Sequence, residues 1–218
     1  MKSKKRKVDT MFGFGPDMLY RIPALLMALT IHEYAHARVA VALGDPTPKV
    51  LGRVTLNPLS HLDPVGLIML WLVQFGWAKP VPINPNNFAD WKRGTRLVSL
   101  AGPVANILLS LVMAILFTGL IKMGVIDGND WLSNVIRLTY FYNIIFAVFN
   151  MFPIPPLDGS KVVSSFLPNE MAWRYESIER YGIFIILALS WLGVIWGILS
   201  PIADGISLGI NLIVQMIF

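Results

Sequence analysis

Long apolar runs, punctuated by short clusters of proline, glycine and charge, set the rhythm of this chain. Asp17 to Leu43 predicts a first spanning helix, with Pro16 and Pro23 near its start and Gly44-Asp45-Pro46 ending it. Thr95 to Met123 and Trp131 to Phe152 predict two further spans. Ile178 to Leu199 and Pro201 to Phe218 predict a closing helical hairpin broken at Ser200-Pro201. Val65 to Ala78 is apolar but short, which suits a re-entrant or partly inserted helix better than a full crossing. Pro46 to Pro64 holds β-prone pieces between prolines and glycines and predicts an extended or hairpin segment. It must lie on protein or line a cavity, because an unpaired strand cannot face lipid. Lys79 to Arg96 is a loop rich in Pro, Asn and basic residues, and Lys161 to Arg180 an amphipathic connector. The expected fold is an all-α polytopic membrane protein of about five to six transmembrane helices. It carries a short membrane-associated extended or hairpin segment near 46–64. Residues 1–16 form a basic N-terminal tail and 17–218 a single transmembrane domain.

Composition agrees with that pattern. Of 218 residues, 55% are hydrophobic and only 14% charged, against about 25% charged in soluble domains. The mean hydropathy is +0.61. The net charge of +5 sits in loops beside the spans, where it reads as cytoplasmic membrane surface rather than as a nucleic-acid interface. There is no cysteine, which removes disulfides and thiolate metal ligands.

One stretch breaks the apolar rule. Inside the first span, His32, Glu33 and His36 interrupt an otherwise apolar run. Each ionisable group at membrane depth costs about 2.5–3.5 kcal/mol even on the milder scales, so three within five positions imply a shared task. On a helix, His32 and His36 lie one turn apart on one face and both rings can reach a single metal ion. Glu33 is rotated by about 100° and can approach a water on that metal from the side. Such an HExxH arrangement points to a zinc peptidase.

A catalytic zinc takes three protein ligands and leaves one position open. With three histidines in the chain, the third ligand is His61 or a carboxylate. Asp158 is the stronger candidate, because it follows Pro153-Ile-Pro-Pro-Leu157, a segment that cannot continue a helix. His61 suits a turn within Ser60 to Pro64, and Asp204 reads as a first-turn acid of a terminal helix.

His-Glu-Tyr-Ala-His at 32–36, together with Asn150-Met-Phe-Pro-Ile-Pro-Pro-Leu-Asp158-Gly159, resembles the site-2 protease family of intramembrane zinc metalloproteases. Gly52 to Pro64 and Ala101 to Asn106 also resemble its compact bacterial branch, without an inserted PDZ domain. The resemblance implies one catalytic zinc held by His32, His36 and Asp158, with Glu33 as general base. It implies that Asn150 helps to position substrate near the zinc, and it offers a weaker match at Asn106, whose plainer role is a helix–helix hydrogen bond. The expected substrate is a membrane protein, often a single-span regulator, cleaved within or near its transmembrane segment. A helical substrate must unwind, and the segment carrying Gly52 and Asn57 offers an edge for it to pair with.

Basic loops at 79–96 and 161–180 bracket two spans joined by an acidic turn, Asp127 and Asp130. Asp158 is therefore expected nearer the cytoplasmic face of the cell membrane. Matching the depth of His36 to it sends the N-terminus outside, whereas the basic run at Lys2 to Lys7 argues for the inside. A non-proteolytic metal-binding membrane protein or transporter is the alternative, since broken helices and buried carboxylates occur there too. Against it stand the lack of paired inverted halves and the presence of Glu33 between the two histidines.

Overall fold

In the computed structural model, the described residues are 18–66 and 78–218. Helix α1 spans Met18–Ala42, and α2 is a single turn, Thr47–Val50. Helices α3 (Trp91–Lys122) and α4 (Trp131–Asn150) are joined by the acidic turn. Then follow α5 (Asp158–Ser164), α6 (Asn169–Glu176), α7 (Glu179–Trp191) and α8 (Val194–Ile217). All regular elements among the described residues are helical. The basic tail at 1–16 and most of the short apolar run at 65–78 lie outside the described residues.

The helix ends follow local chemistry. The Asp90 carboxylate accepts from the Arg93 N–H at 2.9 Å to start α3. The Asp130 carboxylate accepts from the Ser133 N–H at 2.7 Å and its hydroxyl at 2.9 Å to start α4. Among the described residues, three helices, α3, α4 and α8, are long and apolar enough to cross a membrane. Their outward faces are apolar and exposed, as with Val104, Leu108, Val112, Leu208 and Leu212. Helix α1 is of similar length but carries Arg21, His32, Glu33, His36 and Arg38, which dilute its apolar character.

Helices α1, α3 and α4 pack on one another, and small residues allow it. Ala24, Ala28, Ala37 and Ala40 on α1 are fully buried, so backbones approach closely where larger side chains would hold them apart. A second, apolar cluster joins α4 to α7 and α8 through Ile144, Val148, Ile186, Leu199 and Ile210.

Three expectations differ from what is observed. The closing hairpin turns at Gly193, whose φ of +75° suits glycine. Helix α8 then runs unbroken through Pro201, as membrane helices tolerate. Asp204 is consequently an exposed residue in the middle of α8 rather than a first-turn acid. The segment at 46–64 is a succession of turns. Pro48 sits in the first turn of α2, where its missing N–H costs nothing. The Asn57 side chain accepts from the Leu59 N–H and caps a 3-10 turn over Pro58–His61. The single ladder contact among the described residues is an antiparallel bridge from Leu62 to Ala78.

Candidate metal centre

The site is assembled from α1, the start of α5 and a wall of α3. His32 and His36 stand on the inward face of α1, 5% and 6% exposed, with their rings edge to face. Asp158 opens α5, immediately after the proline-rich turn that follows α4. Gly159 makes that sharp return possible, since a Cβ there would run into the main-chain carbonyls of Met151 and Phe152. Asp158 Oδ2 lies 3.1 Å from His32 Nε2 and 3.2 Å from His36 Nε2, and the two Nε2 atoms are 3.0 Å apart.

The orientation of both rings is fixed from behind. His36 Nδ1 lies 2.7 Å from the Val98 carbonyl, which can only accept, so the proton is on Nδ1 and the Nε2 lone pair faces the triangle. His32 Nδ1 donates to Asn106 Oδ1 at 2.6 Å. The Asn106 amide cannot be turned round, because its Nδ2 faces two oxygens, the Ala28 carbonyl at 3.1 Å and Asn143 Oδ1 at 2.6 Å. Asn143 Nδ2 in turn donates to the Thr139 carbonyl at 2.7 Å. Asn106, Asn143 and Thr139 are fully buried, so this file of amides crosses from α4 through α3 to α1 without solvent. Gly102 lies one turn before Asn106 and forms the floor beneath both imidazoles; a Cβ there would sit 2.5 Å from His36 Nε2 and 2.6 Å from His32 Cε1.

Two neutral imidazoles and a carboxylate, each with a lone pair turned inward, form a donor set suited to zinc. Ligand atoms on a tetrahedral zinc with bonds of about 2.0–2.2 Å stand about 3.3–3.6 Å apart. Opening the observed triangle by a few tenths of an ångström makes it one face of such a tetrahedron, with the fourth corner left for water.

A family model for peptidase family M50 matches residues 118–193, the part that contains Asn150 and Asp158. Over 196 residues the chain is 35% identical to YwhC of Bacillus subtilis, covering 87% of this chain and 90% of that protein. The chain belongs to peptidase family M50, the site-2 protease family. It is 31% identical over 172 residues to Rip2 of Mycolicibacterium smegmatis, covering 77% of this chain and 65% of Rip2. It is also 31% identical over 94 residues to MJ0611 of Methanocaldococcus jannaschii, covering 43% of this chain and 44% of that protein. All three carry the name "Putative zinc metalloprotease". No solved structure gives a significant match. As an M50 member the chain is a zinc metalloprotease embedded in a membrane through its apolar helices.

The other residues singled out in the sequence fall around this centre. The Glu33 carboxylate is buried and its Oε2 accepts from the Val81 N–H at 2.9 Å. Asn106 is locked behind His32 rather than open to a substrate. Asn150 ends α4, where its Nδ2 donates to the Phe146 carbonyl at 3.0 Å. Gly52 and Asn57 are exposed in the turns after α2. His61 stands apart from the metal group. It is fully buried, and its Nε2 donates to the Thr55 carbonyl at 2.9 Å.

Four residues have roles in the structure that the sequence does not assign to them: Gly102, Asn143, Asp45 and Arg53. The spacing of Gly102 to Asn106 and of Thr139 to Asn143, each one helical turn in an apolar helix, was the available signal for the first two. Asp45 is fully buried. Its Oδ1 accepts from the Thr47 hydroxyl at 2.6 Å and Asn87 Nδ2 at 2.7 Å, and its Oδ2 from the Asn84 N–H at 2.7 Å. Burial works against its ionisation, but these bonds, that from the Thr47 hydroxyl foremost, prevail and lower its pKa.

Proposed function

We propose that this M50 protease is an intramembrane zinc metallopeptidase that hydrolyses a peptide bond within or near the transmembrane segment of a membrane-protein substrate. His32, His36 and Asp158 hold the zinc. The observation that carries this reading is the convergence of three donor atoms within 3.2 Å of one another, from two elements 122 positions apart in sequence, at the buried end of an apolar helix bundle. When bound, zinc polarises the scissile carbonyl and brings the pKa of a coordinated water towards about 7.

Glu33 would serve as the general base that accepts a proton from the attacking water and as the donor to the leaving amine. The Val81 N–H at 2.9 Å fixes one Glu33 oxygen and leaves the other to face the reaction. Asn106 serves the site through His32, holding its tautomer. Asn150, at the mouth of the proline-rich turn, donates its amide to the oxyanion or to the extended substrate. The exposed turns carrying Gly52 and Asn57 offer the unwound substrate backbone its pairing edge. In the membrane, α1 and α7 join α3, α4 and α8, which gives five inserted helices among the described residues. The protein sits as a multi-pass protein of the cell membrane with its site nearer the cytoplasm, a reading supported by the basic residues at 79–96 and 161–180.

The test uses purified full-length protein in detergent with a single-span membrane substrate. About one zinc per chain, cleavage within the span, and loss of cleavage on chelation with recovery on zinc addition are expected. Cleavage that persists in metal-free protein would overturn the assignment.

A further inference from the structure

Arg53 is 6% exposed, and the zinc chemistry gives it no task. Its guanidinium is aimed at one extended piece of chain, 79–81. Arg53 Nη2 donates to the Lys79 carbonyl at 2.7 Å, and Nη1 donates to the Pro80 carbonyl at 3.0 Å. Nη2 also lies 3.4 Å from His61 Nδ1, while Nε is buried with no hydrogen-bond partner among the described residues. The Lys79 N–H donates to the His61 carbonyl at 2.9 Å. Most telling is the peptide group between Pro80 and Val81. Its carbonyl accepts from Arg53, and its N–H donates to Glu33 at 2.9 Å. One planar peptide thus stands between a buried cation and a buried carboxylate, with its dipole aligned to both.

We propose that Arg53 is a positioning residue for Glu33, acting through the Pro80–Val81 peptide. The guanidinium fixes the plane of that peptide, and the plane sets where the Val81 N–H points and therefore which way the Glu33 carboxylate faces. A misplacement of about 1 Å in a catalytic group costs on the order of 100-fold in rate. The inference rests on Glu33 as the general base, and its test separates the two.

Four single variants and one double variant are compared with wild type for kcat, KM and zinc stoichiometry, and, where Val81 is kept, for its amide resonance in ¹⁵N-valine-labelled protein. Arg53→Met is expected to lower kcat by about 10–100-fold, with KM within twofold and one zinc retained. Arg53→Lys, which keeps one donor, should recover part of that loss. Both should shift the Val81 amide resonance, as should Glu33→Gln. Val81→Pro removes the N–H itself, so adding Arg53→Lys to it should cost nothing further. The proposal is overturned by wild-type kcat in Arg53→Met, by a change confined to KM, by a kcat loss matched by zinc loss, or by additive effects in the double variant. Where Arg53→Met does not fold, Arg53→Lys with the Val81 resonance decides. Activity retained in Glu33→Gln would instead remove the general-base reading itself.

Discussion

Replacing Gly102 by Ala is the sharpest perturbation of the centre that touches none of its ligands. The added methyl carbon would lie 2.5 Å from His36 Nε2, 2.6 Å from His32 Cε1 and 2.7 Å from His32 Nδ1. Ordinary contact is about 3.5–4.0 Å, so the rings or the helix must retreat by roughly 1 Å. The rings are not free to do so, since His32 is tied to Asn106 at 2.6 Å and His36 to the Val98 carbonyl at 2.7 Å. Loss of one such orienting bond typically lowers metal affinity 10–100-fold, which is about 1.4–2.7 kcal/mol. With both rings affected, a fall of about 100-fold or more is expected. The helix itself prefers Ala over Gly by about 1 kcal/mol, so a loss cannot be blamed on helix propensity. Zinc affinity is measured by competition with a chelator of known strength. Gly205→Ala, whose Cβ meets nothing within 4 Å, serves as the control. A Gly102→Ala protein with wild-type zinc affinity would refute the packing argument.

Four further outcomes follow from the same geometry. Glu33→Gln should keep one zinc and lower kcat by about 10²–10⁴-fold, checked by metal analysis beside single-turnover cleavage. Asp158→Ala should drop zinc well below one per chain; full occupancy would move the third ligand elsewhere. Asn106→Ala should weaken zinc binding about 10–100-fold, and wild-type affinity in that variant would remove its role behind His32. For Asp45, the folded pKa lies below the unfolded one. Its contribution to stability is therefore present above the unfolded value of about 3.9 and lost as pH falls through the folded value. Asp45→Ala should abolish that part of the acid dependence in thermal melts.

How much of this was readable in advance differs by element. The bounds of α1, α3 and α4 followed from apolar runs between breakers, because solvation by lipid imposes length and polarity directly on sequence. Asp158 was identifiable because prolines forbid a helix just before it. The turn at Gly193 was not, since Ser200-Pro201 offers the stronger local breaker and only the packing of α8 decides between them. The turns at 47–61 hid behind β-prone residues, for strand preference is realised only where a partner strand exists. Arg53 and Asp45 were invisible for a different reason. Both act on main-chain groups of the 79–84 segment, and such contacts leave no trace in residue type.

The ionised side chains that the fold takes out of water have a bearing on what happens when metal leaves. Glu33, Asp45 and Arg53 are buried, and the Asp158 side chain is 14% exposed. Of these, Asp158 is the one in contact with both imidazoles, and the groups that orient the imidazoles are an uncharged amide and a carbonyl, so the counter-charge to that carboxylate falls to the divalent ion. Burying that carboxylate without a counter-charge is costly. Zinc withdrawal should accordingly be accompanied by proton uptake from the buffer, and the ion doubles as the counter-charge that lets the bundle close.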